Sequence, residues 1–492
     1  MKVFKKFSAK YSRKNKKDIL FGHLFFYQKG LLIYFFCIIL IFNSCYSPAP
    51  IPDAVLSKEY KNIKREQHAG IPDNIETLTL EIATNIALAN NPDYRSAKHS
   101  VIAAWARLYS SISEYLPTIS AEYDITEYKY VPISSGGSGR DNGGNIFSNK
   151  TGGLRGRWEL FNGLVTTMKV LSARKEASQY EALDRDARRI LIQNVVYAYN
   201  NILLTLEKIR IAKEDIAFNE SLLKETEIKY QAGTVPLSEM LNFKIRVNQA
   251  KTVLTDENYN LENSKIVLAE LMGLSEAKLP ENIKFSRPED RKDTLSSIDI
   301  YLESAIANRP DLEAFRKALE IAKFNLWQRY GAFLPVISAN AFWGYSRNDD
   351  GYSGRYMYRP RTQDRSFNYG LSIDWTIFSG GSRIADLREA QALLASSKEN
   401  LYEQWVRVVA EVRIAYENYI RAEEQVKIQK ETLELVKKTR DLVEEEYKAG
   451  TANLTRLNEA QNDLVSAEGK LVSSIIALDN AFIQLKSASG EL

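Results

Sequence analysis

The fold of this chain is decided by a five-residue stretch, YQAGT at residues 230–234, which returns as YKAGT at residues 447–451. A second motif keeps the same spacing, because WELFNG at 158–163 returns as WTIFSG at 375–380, again 217 residues later. Two proline motifs repeat at a spacing of 218 residues: NPD at 91–93 with RPD at 309–311, and LP at 116–117 with LP at 334–335. One register across both halves indicates two copies of one unit, which favours a pseudo-symmetric tube wall over an enzyme with a single cleft.

Long helices are predicted around each of these stretches. Residues 164–230 contain neither Pro nor Gly, and apolar residues such as Leu191, Val195 and Ala198 step by three or four, as on one face of a helix. Such a helix is about 100 Å long at about 1.5 Å per residue. Gly233 and Gly450 suit the positive φ of a helix reversal. The predicted long and return helices cover about 164–230 and 237–274 in the first half, and about 383–447 and 454–485 in the second.

Two shorter helices are predicted before each long one. In the first half, one covers about 78–90 and stops before Pro92, because the residue before a proline is disfavoured in the helical region. The next covers about 93–115. This second short helix and the return helix together total about 61 residues, close to the length of the long helix. We therefore expect the two to stack end to end alongside it.

Between the short and the long helices, each half carries a pair of predicted strands. Apolar and polar residues alternate with a period of two, which gives each strand one apolar face. The predicted strands cover about 118–130 and 151–161 in the first half, and about 336–346 and 366–378 in the second. About ten residues is the length that a tilted strand needs to cross a bilayer. Trp158, Trp343 and Trp375 lie near strand ends, where interfacial aromatic residues are expected.

The first 44 residues are typical of a secretion signal. They carry nine Lys or Arg and one acid, and the apolar run at 31–42 is followed by small residues. That run is shorter than the roughly 20 residues of a membrane-spanning helix, so we predict a cleaved signal over 1–44. Cys45 would then be the one cysteine of the mature chain, since Cys37 lies in the removed segment. Its position resembles the lipidated cysteine of bacterial lipoproteins; an ordinary cleaved signal with an incidental cysteine is the alternative. Residues 45–75, rich in proline, read as a tether.

Charge and composition argue against several other functions. Residues 1–44 carry a net charge of +8, so their removal changes the formal net charge from +4 to −4 and leaves no basic patch for nucleic acid. Of the three histidines, His23 lies in the signal and His68 in the tether, so neither a catalytic triad nor a His-rich metal site is predicted. Acidic runs such as 444–446 are most simply a solvated helix face. We therefore expect no enzyme, no metal and no cofactor.

Four strands per chain cannot close a membrane barrel by themselves. Single-chain barrels have at least eight strands, and an open sheet edge leaves unpaired backbone groups that lipid cannot satisfy. If the strands cross a membrane, the chain must form oligomers, and three chains would supply twelve strands around a lumen. The alternative is a small soluble strand cap on a coiled coil.

These features resemble the TolC-like outer membrane efflux proteins over nearly all of residues 76–492. The resemblance rests on the duplicated motifs quoted above, in order and in register. It implies two repeats, 76–292 and 293–492, in a mixed but mostly α fold with four transmembrane strands per chain. Three chains would form a homotrimer whose twelve-stranded barrel in the outer membrane continues into a twelve-helix periplasmic tunnel. Loops near 131–150 and 346–365 would face outside.

The resemblance also implies partners and a docking tip. Family members receive substrates from an inner membrane pump of the RND or ABC type through a periplasmic adaptor, and the duct itself consumes no energy. The two glycine turns would form the periplasmic tip that meets the adaptor. The residues expected there are Tyr230, Gly233, Thr234, Tyr447, Gly450 and Thr451. Tyr230 and Tyr447 lie one turn before the glycines, where they would latch neighbouring helices or simply pack.

Charged residues just past the turns are candidates for a gate. In well-known family members, acidic residues six and nine positions past the second glycine ring the closed tip and bind cations. Here those positions are Arg456 and Glu459, and Glu239 lies six past Gly233. A mixed ring of these three charges would close by salt bridges between chains; solvated helix charges are the alternative.

The sequence therefore predicts an outer membrane duct of a tripartite efflux system, through which small molecules pass passively. One alternative is the same duct in a type I protein secretion system. A second, from another class, is a lipid-anchored periplasmic coiled-coil scaffold without transport.

Overall fold

Helices and strands follow one order twice along the chain. The computed structural model describes residues 76–130, 145–287, 295–351 and 362–492, all within the unit Gln67–Leu492. The predicted signal, Cys45 and the tether lie outside these residues, as do parts of the predicted outer loops and the predicted boundary between the repeats at 292/293. The helices are α1 (Leu80–Asn90), α2 (Pro92–Ser113), α3 (Val165–Gln231), α4 (Leu237–Leu271), α5 (Ile298–Asn308), α6 (Pro310–Gly331), α7 (Ser382–Lys448) and α8 (Leu454–Ala488).

The long helices pair with the short ones as their lengths predict. Helices α3 and α7 have 67 residues each, whereas α2 and α6 have 22 and α4 and α8 have 35. Both α2 and α4 pack on α3, and both α6 and α8 pack on α7. Prolines at the first position of α2 and α6 begin those helices, because proline is pre-organised for that position.

Four antiparallel strands form one sheet beside the helices. Its strands, β2 (Thr118–Tyr130), β3 (Asn145–Phe161), β5 (Val336–Gly351) and β6 (Thr362–Asp374), lie in the order β2-β3-β5-β6. A short parallel pair, β1 (Thr77–Leu78) and β4 (Lys284–Phe285), lies apart from it. The register sets Leu154 opposite Trp343 and Trp343 opposite Phe367, so one face of the sheet is apolar across the strands. Strands β2 and β6 are the edges.

The strand ends differ from the predicted ones. Strand β3 begins at Asn145, β5 continues to Gly351 and β6 begins at Thr362, so all three reach into the predicted outer loops. The strands are longer because their backbones remain paired into the loops. Tyr130 of β2 lies opposite Asn145 of β3, and Ile146 of β3 lies opposite Gly351 of β5. The inner end of β6 was predicted too long: the strand stops at Asp374, and Trp375 lies outside it.

Two apolar cores hold the middle of the helical part together. In the first repeat, buried Tyr199 of α3 donates its hydroxyl to the Leu78 carbonyl at 2.8 Å and packs with α1 and α4. In the second, Val408 and Val412 of α7 pack with α5 and α8. Among the described helices, none combines the length and apolar character of a bilayer-crossing segment.

A junction at the short-helix prolines closes each repeat on itself. Asn91 donates from Nδ2 to the Leu271 carbonyl at 3.0 Å, and Arg309, its counterpart, donates from Nη1 to the Ala488 carbonyl at 3.4 Å. A Cβ on Gly273 would lie 2.7 Å from the Asn90 carbonyl, so only glycine allows this approach. In both repeats, the end of the return helix is therefore held against the start of the second short helix.

Candidate functional site

The two predicted tip turns are built alike. Gly233 and Gly450 have φ values of +71° and +76°, and no atom lies within 4 Å of a Cβ built on either. Glycine is therefore favoured here by backbone conformation and not by crowding. The Thr234 amide donates to the Lys229 carbonyl at 3.0 Å, and the Thr451 amide to the Glu446 carbonyl at 2.9 Å, the long-range bond of a Schellman cap.

The turn threonines add a second bond of their own. The Thr234 hydroxyl donates to the Lys229 carbonyl at 2.9 Å, and the Thr451 hydroxyl donates to the Glu446 carbonyl at 3.0 Å. Each threonine thus satisfies one helix-terminal carbonyl twice, through its amide and its hydroxyl. The repeated threonine is explained by capping within its own turn.

The two predicted latch tyrosines are in different environments. Tyr447 is half-buried and donates its hydroxyl to Glu239 Oε1 at 2.6 Å, which joins the end of α7 to the start of α4. Its ring meets Phe243 edge-on, with 6.5 Å between the ring centroids, and Lys229 Nζ lies 5.9 Å from its centre. Tyr230, in contrast, is 41% exposed. Of the two predicted latch tyrosines, Tyr447 is the one that joins the two repeats within one chain.

The electrostatics of this contact keep the tyrosine protonated. Burial raises the pKa of the Tyr447 phenol, and the hydrogen bond and negative charge of Glu239 raise it further. The phenol is therefore a stable hydrogen-bond donor at neutral pH. Glu239 accepts a short, charge-assisted hydrogen bond from it, and the proton stays on the phenol.

An apolar cluster lies under the latch and joins all four tip helices. Leu222 of α3, Phe243 of α4, Val443 of α7 and Leu457 of α8 are buried against one another. Phe243 was not among the residues predicted for the tip. Alignment of the repeats contained a signal for it, because Ala460 stands at the corresponding place in the second repeat. The large ring stands in the first repeat, where it meets Tyr447.

The predicted gate charges do not come together within one chain. Glu239 bonds Tyr447, while Arg456 Nη1 lies 3.4 Å from Glu446 Oε2 at the second turn. Glu459 is exposed on α8. The Arg456 amide also bonds the Asn453 side chain at 2.9 Å, which caps the start of α8. A ring of Glu239, Arg456 and Glu459 thus requires charges from more than one chain.

Two of the three predicted interface tryptophans tie the sheet to the helices. Trp158 donates its indole N–H to the Tyr115 carbonyl at 2.8 Å, and Trp375 donates to the Phe333 carbonyl at 3.1 Å. Both acceptors lie just past the end of a short helix, so the repeated tryptophan fixes the same joint twice. Trp343 lies within β5, with 53% of its surface exposed on the apolar face.

Comparisons with known proteins agree with this architecture. The family model described as outer membrane efflux protein matches residues 83–274 and 301–491. The outer membrane protein TolC of Escherichia coli is 24% identical over 421 residues, which covers 82% of this chain and 81% of TolC. The alkaline protease secretion protein AprF of Pseudomonas aeruginosa is 23% identical over 325 residues, which covers 62% of this chain and 65% of AprF.

Solved structures show the same fold. The CmeC outer membrane channel of Campylobacter jejuni superposes with a TM-score of 0.71 at 18% identity, covering 90% of this chain and 94% of CmeC. The predicted TolC-like fold, mostly α with four longer strands per chain, is thereby confirmed. Since the family model matches both repeats over most of their length, this chain belongs to the outer membrane efflux protein family.

Proposed function

We propose that this chain is the outer membrane duct of a tripartite efflux system and works as a homotrimer. The observation that carries this proposal is the exposed apolar face of the sheet, where Tyr369, Leu371 and Ile373 are 80%, 72% and 70% exposed. A soluble protein would bury such a face, whereas lipid would cover it. Edge strands β2 and β6 cannot stay open in lipid, and three copies remove the edges by forming one twelve-stranded barrel.

Passage through this duct is passive, and the tip controls it. Helices α3, α4, α7 and α8 of each of the three copies would line a tunnel. Its narrow end would lie at the Gly233 and Gly450 turns. The Tyr447–Glu239 bond holds α7 against α4 when the tip is closed, and opening must break it. In the closed tip, Glu239, Arg456 and Glu459 of three copies would face one another near the axis, where each close charge pair is worth about 4 kcal/mol at an effective dielectric constant of 20.

The tip turns are also the proposed docking site for a periplasmic adaptor. Tyr230, Gly233 and Thr234 are exposed at the first turn, and Gly450 and Thr451 at the second. An adaptor that binds there would connect the duct to an inner membrane pump of the RND or ABC type. The duct would need no energy source and no cofactor of its own.

The outer membrane location follows from the family, and we propose a lipid anchor in addition. Acylation of Cys45 would fix the mature chain to the membrane, since each buried methylene of an acyl chain contributes about 0.8 kcal/mol. Mass spectrometry of the mature first residue tests this directly. A free thiol at Cys45 in the purified outer membrane protein would overturn the anchor and leave the duct unaffected.

Mass in detergent together with planar-bilayer current tests the duct. A particle of three chains with steady pore conductance, raised when Arg456 or Glu459 is changed to Ala, is the expected result. Thr234→Ala is the matched control, because it removes a capping hydroxyl at the tip without changing any charge. A monomer that never inserts into the bilayer would overturn both the trimer and the barrel.

A duct for type I protein secretion is the second candidate. It is supported by the similarity to AprF, whose name describes secretion of a protease. Deletion of the gene separates the two functions: loss of a secreted protein from the medium indicates secretion, whereas accumulation of small toxic compounds in the cell indicates efflux.

A further inference from the structure

We propose that Lys150, Arg347 and Arg365 form a site, on the apolar side of the sheet, that binds the phosphate groups of the lipid around the barrel. The proposal rests on the barrel proposed above, in which the strand ends that join the helices face the periplasm and the opposite ends face outside. The three cations lie towards the outer ends of their strands. They would add a charged lipid contact to the apolar one.

The three cations are neighbours on adjacent strands. Lys150 of β3 lies directly opposite Arg347 of β5, and Arg347 lies directly opposite Gln363 of β6. Arg365, two positions from Gln363, is therefore the diagonal neighbour of Arg347. Cβ atoms of opposite residues are about 5 Å apart and those of diagonal neighbours about 7–8 Å, within reach of long side chains. One phosphate group can thus contact cations from three strands.

All three cations share the face of the sheet that carries the apolar side chains. Alternate residues of a strand point to the same face, so Arg347 follows Tyr345 on that face and Arg365 stands next to Phe367. Lys150 is on the same face because it lies opposite Arg347. On β5 and β6, the apolar set therefore ends outward in an arginine.

Two tyrosines mark the end of the apolar set one row further in. A Cβ on Gly152 would lie 2.9 Å from Tyr123 Cδ2 and 3.1 Å from Tyr345 Cε1, so both rings lie over this glycine. Both tyrosines are exposed. Aromatic residues of this kind form girdles at the membrane–water interface of barrels. The cations, one row further out, are then at the level of the lipid headgroups.

The height of the apolar set agrees with this level. On β5 the apolar face runs from Ile337 to Arg347, which is ten positions, or about 33 Å along the strand. At a strand tilt of about 40°, this is about 25 Å along the membrane normal, the usual height of the apolar band of a barrel. Arg347 thus lies where the hydrocarbon ends.

Charge also distinguishes this site from the polar face. There, Arg155 Nη2 lies 2.6 Å from Glu122 Oε1, so a cation and a carboxylate are paired. On the apolar side, Lys150 and Arg347 are like charges directly opposite each other, an arrangement that destabilises a sheet. A phosphate between them would remove the repulsion. Glu127 of β2 is the diagonal neighbour of Lys150 on the side away from Arg347, so the site opens towards β5 and β6.

The residue types suit phosphate, and their position selects a lipid. A guanidinium binds two phosphate oxygens at once through its planar fork, and a lysine adds a point charge. The acyl chains that cover the apolar face would hold a headgroup phosphate beside these cations. A free phosphate ion has no such attachment, so it would bind more weakly than the same group on a lipid.

Native mass spectrometry of the full chain in neutral detergent tests the site. The particle is titrated with lipid A, a glycolipid that carries two phosphates, and with its dephosphorylated form. The unchanged protein should bind the phosphorylated lipid more tightly. Arg347→Gln/Arg365→Gln should weaken that binding about fivefold for each cation removed and leave the dephosphorylated lipid unaffected.

A matched control and the particle mass separate the outcomes. Arg157→Gln removes an exposed cation from the polar face of β3, so it should bind the phosphorylated lipid like the unchanged protein. A particle of three chains for which the double variant and the unchanged protein bind that lipid equally would overturn the site and leave the duct standing. Displacement of the lipid by an equal concentration of inorganic phosphate would identify a free-phosphate site instead. A mass of one chain would overturn the duct and the site together.

Discussion

At the scale of single residues, the closing of the tip proposed above depends on one hydrogen bond, between Tyr447 and Glu239. The two side chains come from different repeats, and the bond length of 2.6 Å is that of a charge-assisted pair. The counterpart positions in the sequence are Tyr230 and Arg456, and a guanidinium has no acceptor atom. Arg456 could donate to the Tyr230 hydroxyl but could not accept from it, so the bond of Tyr447 to a carboxylate has no equivalent at the first turn, and the two repeats would contribute unequally to the proposed closure.

Tyr447→Phe is therefore expected to loosen the tip. The change removes the hydroxyl and keeps the ring against Phe243, which costs about 1 kcal/mol per copy. Planar-bilayer conductance should rise relative to the unchanged protein. Tyr230→Phe is the control, because that side chain is exposed and should change conductance little. Equal conductance of the two variants would show that the hydroxyl of Tyr447 does not hold the tip.

The largely buried carboxylate of Asp311, beside Arg309 at the junction of the second repeat, makes the stability of the fold depend on pH. Arg309 Nη2 lies 2.6 Å from Asp311 Oδ2, and Gln404 donates to the same oxygen at 2.8 Å. Burial opposes the ionisation of Asp311, but the hydrogen bonds and charge of Arg309 outweigh it and hold the pKa of that carboxyl below its usual range. The folded state therefore favours the ionised carboxylate.

The sign of the pH effect follows from this direction. A lowered pKa in the folded state stabilises the protein above the unfolded pKa of about 3.9, and that stability is lost as the pH falls through the folded value. We expect the melting temperature to fall more steeply below about pH 4 in the unchanged protein than in Asp311→Asn. Parallel melting curves of the two proteins from pH 7 to pH 3 would contradict a role for this carboxylate.

Residues whose role depends on backbone conformation could be predicted from the sequence. Residues whose role depends on a partner far away in the sequence could not. Gly233 and Gly450 were found because a helix reversal needs a positive φ, which is a local requirement. Phe243 and the partners of Arg309 were not found. Glu411 lies 102 positions from Arg309, and no periodicity connects the two.

At the scale of elements, helices were more predictable than strands. Helix α3 was predicted over about 164–230 and covers Val165–Gln231, because helix bonds are local and Gly233 marks the end. Strand ends depend on what lies opposite. Strand β3 begins at Asn145 because Tyr130 pairs with it, whereas the family resemblance had implied an outer loop near 131–150.

A glycine in the middle of the sheet offers a sharp test of strand packing. A Cβ on Gly153 would lie 2.6 Å from the Trp343 carbonyl and 2.8 Å from Gly344 Cα, so β3 and β5 would have to separate. Gly153→Ala is expected to cost about 1–3 kcal/mol. The heat stability of the trimer in detergent should fall by several degrees.

Gly156→Ala is the matched control in the same strand. Its nearest neighbour, the Ala341 carbonyl, would lie 4.0 Å from the new Cβ, which is an ordinary contact. The control variant should keep the stability of the unchanged protein. Equal loss in both variants would mean that glycine matters for strand flexibility and not for the close approach of β3 and β5.

At the scale of the whole molecule, the membrane contact distinguishes a duct from a scaffold. In the proposed duct, the apolar face of the sheet would bind the chain to lipid independently of Cys45. Cys45→Ser, with an ordinary cleaved signal supplied in place of residues 1–44, is therefore expected to remain in the outer membrane fraction after a carbonate wash. Release of that variant into the soluble periplasmic fraction would favour the lipid-anchored scaffold. A scaffold has no pore, so none of the tip variants would then change a pore conductance.

The junctions at Asn91 and Arg309 bear on the ancestry of the chain. Each ties a return helix to the second short helix of the same repeat, and Arg189 Nη1 of α3 adds one bond across the repeats, to the Ser487 carbonyl of α8 at 3.1 Å. Six separate chains of one repeat each could thus form the same tunnel wall as three chains of two repeats. This is the assembly expected of a shorter ancestral gene before its duplication. Cleavage between Arg287 and Leu295 should accordingly leave an assembly of unchanged mass that separates into two fragments only in denaturant.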